Sequence, residues 1–420
     1  MKRRNNKHEK RVKRLIVCCG LCAVILSVST YAWFIGMKTV NVSSFDVEIA
    51  AIDSLSLSLN GLDFGDTVTI NKENHKTASY ENNTNSWGGD AGLIPMSSVG
   101  KINQTSSRMT LFEKGSLTAS HGGYRLMASE VQNSGATEAN GYVAFDLFIK
   151  NLSGNAYYTD LTKDNEEAIY LTPESKVTVA TGGVANTGIE NSVRVAFAQI
   201  GRVKAPAVHN ADSAAKITGI TCATAGDVTG ICANRDAQIW EPNDKIHIAN
   251  AINWYETSCQ KRTGANLTLK TAYSGTFGDC GKVEHGKAYN TYAVSGVITE
   301  LNNVDVYDGA DYNGYEGSTA TSAQAGKLVA YDYFTDTEKH LEGTARPELL
   351  TLAPNSVTKV RIYIWIEGQD VDNYDFASLG KKISVAFGFT KERYYGEDVD
   401  YDGNPELPDN RQERPVSDSI

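Results

Sequence analysis

The chain has 420 residues, 41% of them hydrophobic, and a formal net charge of −10. Of its 40 Lys/Arg and 50 Asp/Glu, eight bases and one acid precede Trp33, which leaves 32 against 49 and a net charge of −17 for the rest. So acidic a body excludes nucleic acid and anionic lipid as natural partners, and its length allows one large core or two smaller ones.

Residues 1–14 form a basic n-region with Lys2, Arg3, Arg4, Lys7, Lys10, Arg11, Lys13 and Arg14. Leu15 to Met37 then carries no charge. As a hydrophobic helix it reaches about 34 Å, enough for a hydrocarbon core of about 30 Å. The basic flank stays in the cytoplasm, so everything beyond Met37 is expected outside the cell or at its surface. Two readings of residues 15–37 stand. As a signal peptide, it offers small residues in Thr30-Tyr31-Ala32, with cleavage between Ala32 and Trp33 by a signal peptidase. As an uncleaved transmembrane anchor, it places Tyr31 and Trp33 at the outer interface.

From residue 38 the chain reads as strands. Val40, Val42, Phe45, Val47 and Ile49 alternate, with one change of phase. Ser54-Leu55-Ser56-Leu57-Ser58-Leu59 has a strict period of two, the pattern of a half-buried strand. Asn60-Gly61 signals a turn, and Asp66 to Ile70 a return strand. Residues 71–107 are rich in Asn, Ser, Thr and Gly and read as a long surface loop.

Tyr142 to Lys150 is a strong strand with Val143, Phe145, Leu147 and Ile149 on one face. Ala168 to Leu171 is short. Ser192 to Ile200 turns Val193, Val195 and Phe197 inward. Residues 201–290 are small and polar, with a short helix expected over Lys245 to Tyr255. They read as an insertion or subdomain stapled by disulfides.

Strand signals return at Tyr292 to Leu301 and Lys327 to Phe334. Val357 to Glu367 puts Val360, Ile362, Ile364 and Ile366 on one face and Arg361, Tyr363, Trp365 and Glu367 on the other. Lys382 to Thr390 aligns Ile383, Val385, Phe387 and Phe389. Burying four such side chains contributes about 1.5–3 kcal/mol each before entropy. Residues 391–420 form an acidic, proline-bearing tail read as disordered. Many short strands, 37 glycines and few helices predict an all-β fold: an antiparallel β-sandwich over 38–390.

Four cysteines lie in the exported part: Cys222, Cys232, Cys259 and Cys280. An even number in an oxidising compartment suggests two disulfides, and local pairing, Cys222–Cys232 and Cys259–Cys280, closes the shortest loops. Zinc and free thiols are the other readings. Zinc is the weaker, since no C-x-x-C occurs outside the apolar segment and His247 and His285 show no ligand spacing.

Catalytic signatures are lacking. There is no H-E-x-x-H, no G-x-S-x-G and no phosphate-binding glycine loop, so no enzymatic activity is expected. Asp398, Asp400, Asp402 and Asn404 reproduce D-x-D-x-D-G, the first half of a calcium loop, with Asp409 at the twelfth position. Pro405 breaks the pattern, and a solvated acidic tail is the plainer reading. Asp305, Asp308, Asp311, Asn313 and Glu316 form a second acidic cluster. Tyr307, Tyr312, Tyr315, Tyr331 and Tyr333 could stack on a glycan, or pack at a sheet edge. Apart from calcium, no cofactor is expected.

The run Ser29-Thr30-Tyr31-Ala32-Trp33-Phe34, followed by Lys38-Thr39-Val40-Asn41-Val42, resembles the TasA/camelysin-like exported proteins of Gram-positive bacteria. Asn191 to Phe197 and Ile364 to Asp370 resemble motifs of related surface proteins. The resemblance implies a jelly-roll-like sandwich, processing by a dedicated signal peptidase, and self-association into extracellular matrix or biofilm fibres. In such fibres the first strand, here about Trp33 to Ala51, completes a neighbour's sheet through main-chain hydrogen bonds. The leading expectation is a non-enzymatic structural protein of the surface or matrix. The alternative is a membrane-anchored adhesin that recognises a glycan or surface ligand through residues 201–334.

Overall fold

The computed structural model describes residues 42–253, 347–373 and 381–392, with breaks at 53, 90–91, 115–117, 121–122, 126–127, 134–137, 155 and 369, together with His285 and Gly286. The described chain opens with β1 (Val42–Ala51), β2 (Leu55–Ser58) and β3 (Thr67–Asn71). Short strands follow: β4 (Ser86–Trp87), β5 (Pro95–Ser97), β6 (Ile102–Asn103), β7 (Arg108–Met109), β8 (Phe112–Lys114), β9 (Thr118–Ser120), β10 (Gly123–Arg125) and β11 (Ala128–Glu130). Next come β12 (Val143–Asn151), β13 (Glu167–Leu171), β14 (Lys176–Val179) and β15 (Val193–Lys204). Helix α1 (Ala211–Thr218) precedes β16 (Thr229–Gly230) and β17 (Gln238–Trp240); β18 (Leu350–Leu352), β19 (Ser356–Glu367) and β20 (Lys381–Thr390) complete the set.

The expected all-β architecture is present as two main sheets, with β9–β10 and β6–β7 as separate two-stranded pairs. The smaller runs β18-β13-β20-β1-β3, with β14 also on β20. The larger is built on β19, flanked by β12 and β15. It extends through β2 and β4 on β12, β16 and β17 on β15, and β5, β8 and β11 at one end. Period-two alternation makes each long strand amphipathic, and the apolar faces meet. Val47, Ile49, Val385, Phe387 and Phe389 of one sheet pack on Phe145, Leu147, Val195, Phe197, Ile362 and Ile364 of the other. Phe197 meets Phe387 edge-on at 5.1 Å between ring centres. Every inward residue expected on β12, β15, β19 and β20 lies in this core.

The pairing is not wholly antiparallel. β1 runs parallel to β20, from Phe45 opposite Ile383 to Ala51 opposite Phe389, and β5 runs parallel to the end of β19. No hairpin ties β1 to β20, so burial of Phe45, Val47 and Ile49 sets the register without a turn to dictate direction.

The larger sheet is buried on both faces. Tyr363 and Trp365, expected on the polar side of β19, pack in a second cluster with Phe148, Met96, Met109, Leu111, Ile217, Ile220 and Ile239. Residues 71–107 are therefore not a plain surface loop. They supply β4, β5, β6 and the buried Trp87, Met96, Ser97 and Ser98. Main-chain bonds do what a hydrophobic period would otherwise do: Gly88 N–H donates to the Tyr142 carbonyl, and Gly368 N–H to that of Met96.

Residues 201–253 are woven into the same sheet. Residues 201–204 finish β15, while β16 and β17 pair back onto it. Helix α1 starts with a reciprocal capping box between Asn210 and Ser213. Residues 249–253 are helical, inside the expected Lys245–Tyr255 span. Cys222 and Cys232 form a disulfide with Cα atoms 5.4 Å apart. The loop they close contains β16 and is tight: a Cβ on Gly230 would stand 1.9 Å from the Cys222 carbonyl oxygen.

Candidate functional site

The expected donor segment includes β1. It is an inner strand, with β20 on one side and β3 on the other. Phe45, Val47, Ile49 and Ala51 are buried, while Asp46 and Glu48 are exposed. In this chain, then, β1 fills its own sheet. Its link to β2 is short and turns through Ser54, whose φ of 64° is left-handed, a costly conformation for a residue with a Cβ. Residues 33–41, the first part of the expected donor segment, lie outside the described residues.

Two buried charge networks hold the covered sheet. In the first, Asp146 of β12 faces Arg361 of β19 across the ladder. Arg361 Nη1 donates to Asp146 Oδ1 at 2.9 Å, Lys359 Nζ lies 3.3 Å from Oδ2, and the Tyr80 hydroxyl donates to Oδ2. Burial alone would raise the Asp146 carboxyl; Arg361 and Lys359 outweigh it and hold the group below the ordinary aspartate value. Arg361 Nε also meets Glu138 at 2.8 Å. In the second network, Glu166 lies between Arg202 and Arg235, with the Glu166 and Arg202 side chains fully buried. These pairs sit inside the fold and tie its strands together.

The strongest constellation of ligand-type atoms is at the end of β19. His247, Asp370 and Asp372 each bring one such atom within 4.8 Å of the others. One imidazole and two carboxylates form a donor set that suits a zinc-like ion. The oxygens, however, already have protein partners. Asp372 pairs with His247 Nδ1 at 2.8 Å and accepts from Ile248 N–H. Asp370 pairs with Arg194 at 2.7 Å and accepts from Ser192 and from Asp372 N–H. An ion would therefore have to displace Arg194. Burial raises the Asp372 carboxyl to about 6, offset in part by the His247 hydrogen bond. Burial likewise raises the neighbouring Glu241 to about 8; Arg194 opposes the rise and Asp244 adds to it.

The sequence-level candidates fall out as follows. Cys222–Cys232 is formed as expected. Cys259, Cys280, Ala32, Trp33, the calcium-loop residues Asp398, Asp400, Asp402 and Asn404, the acidic cluster from Asp305 to Glu316, and the five tyrosines from Tyr307 to Tyr333 all lie outside the described residues. The fold brings together His247 and His285, whose spacing gave no hint: His285 Nδ1 lies 2.8 Å from the His247 carbonyl oxygen. Asp370 was visible only as the end of a surface-protein motif. Among the described residues, no helix is long and apolar enough to cross a membrane, and residues 15–37 are not among them.

No protein-family model, curated protein or solved structure matches this chain.

Proposed function

We propose that the chain is a non-enzymatic, exported structural protein of a bacterial surface or matrix, and that β1 passes between copies during assembly. One observation carries this reading: the strand nearest the N-terminal apolar segment is also an inner strand, parallel to β20, with a fully apolar inner face. A slot left by β1 exposes two unpaired strand edges and a row of core pockets, the surface that strand addition recognises. The resemblance to TasA/camelysin-like proteins supports the same reading.

The test is a lock. Glu48 of β1 faces Thr69 of β3 directly across the ladder. A Glu48→Cys/Thr69→Cys pair, oxidised, tethers β1 at home without touching the core. Electron microscopy of the mature protein should show fibres for the wild type and the reduced variant, and monomers for the oxidised one. Fibres from the oxidised variant, or persistent monomers from the wild type across salt and pH, would defeat the proposal.

A further inference from the structure

A cavity of about 310 Å³ opens beside β4, independent of the β1 slot. Its walls are Lys72, His75 and Lys76 from the segment after β3, Trp87 of β4, and Glu138 and Asn140 from the loop before β12. Its volume is at the small end of ligand sites, the size for one sugar unit.

Its polar groups do not balance one another. Glu138 is engaged from inside the fold by Arg361, Arg108 and the hydroxyls of Tyr142 and Tyr363, so its charge is already countered. Lys72 and Lys76 are exposed at the mouth. Lys76 Nζ donates to the Asn85 carbonyl and to Asn83 Oδ1, which leaves it one further proton to give. Its basicity is lowered, by burial first and then by Arg361. Trp87 is only 8% exposed, yet its indole Nε1 has no hydrogen-bond partner among the described residues. His75 lies against the indole with ring centres 5.5 Å apart.

Cations at the mouth, an amide at Asn140 and the aromatic residues His75 and Trp87 together define a ligand. We infer that this cavity binds a sugar acid of the hexuronate class, its carboxylate held by Lys72 and Lys76 and its hydroxyls turned to Asn140. The carboxylate supplies charge-assisted bonds, the hydroxyls supply acceptors, and the C–H face of the ring suits the imidazole and indole. The unit can come as a free sugar acid or as a residue of an acidic polysaccharide.

Isothermal titration of the whole protein separates the cases. The probes are glucuronate, a short galacturonate oligomer, neutral glucose and inorganic sulfate. Glucuronate should bind, and Lys72→Ala should weaken it about tenfold, as the loss of one charge-assisted bond does. Trp87→Phe, which keeps the packing on Phe145, should weaken it less, with the melting curve showing that the variant is folded. Tighter binding of the oligomer assigns the site to a polymer, and equal binding to a single unit. Equal heats for glucose, equal heats for sulfate, no heat with glucuronate up to about 10 mM, or indifference to Lys72→Ala would each overturn the assignment.

Discussion

Asp146→Asn removes the one carboxylate that faces both Arg361 and Lys359 on the covered sheet. Asp146 and Arg361 are 1% and 4% exposed, so water cannot replace the lost charge. Taking one member from a buried pair costs about 3–5 kcal/mol. Arg361 keeps Glu138 at 2.8 Å and Lys359 keeps the Thr218 carbonyl at 3.1 Å, which puts the loss at the lower end, about 3 kcal/mol. For a domain of this size that lowers Tm by about 4 °C. Urea denaturation should show a lower midpoint with an unchanged slope. The difference should persist in molar salt, which screens buried pairs little. It should also close in acid. A depressed carboxyl contributes stability above its unfolded value, about 3.9, and the contribution is lost as pH falls through the lower folded value. A loss under about 1 kcal/mol, or one abolished by salt, would mean that the pair is solvated and the covering layer is not closed.

Three further outcomes follow from the same packing. Glu166→Gln should cost about 3–5 kcal/mol in chemical denaturation, because it leaves the fully buried Arg202 with only the carbonyls of Tyr158 and Asp160. Gly230→Ala should lower Tm far more than Gly226→Ala: the first drives a Cβ into the Cys222 carbonyl, while the second meets nothing within 4 Å. Glu241→Gln should flatten the pH dependence of stability. With a folded value raised to about 8, the wild type loses stability as pH climbs from the unfolded value of about 4.3 to about 8, and the loss is complete above that. Titration of Tm against pH in both proteins reads this directly, and parallel curves would count against it.

The sandwich was legible because its long strands obey a period of two. Val143, Phe145, Leu147 and Ile149, or Ile383, Val385, Phe387 and Phe389, needed no further information to be placed inward. The covering layer was not legible. Arg361 and Glu367 look solvent-facing in an alternating strand, and partners distant in sequence, Thr84, Asp146, Glu138 and Ser97 among them, make their burial tolerable. Residues 71–107 carry no period because backbone hydrogen bonds, which any sequence of small residues can make, hold them down. The cavity beside Trp87 was hidden for the same reason. Its wall comes from a segment without pattern, and neither the lone Trp87 nor the pair Lys72 and Lys76 marks a site until the loop before β12 closes over them.

The parallel pairing of β1 with β20 also fixes an order of events in time. β1 leaves the ribosome among the first segments of the described chain and β20 as the last strand, yet the two share a ladder from Phe45 to Ala51. Contacts this distant in sequence slow folding, because the intervening chain must be ordered before they reward it. Until β20 arrives, the apolar edge of β1 waits unpaired, and any earlier partner competes for it. That edge of β1 is thus open only until the last strand of the described chain has paired with it.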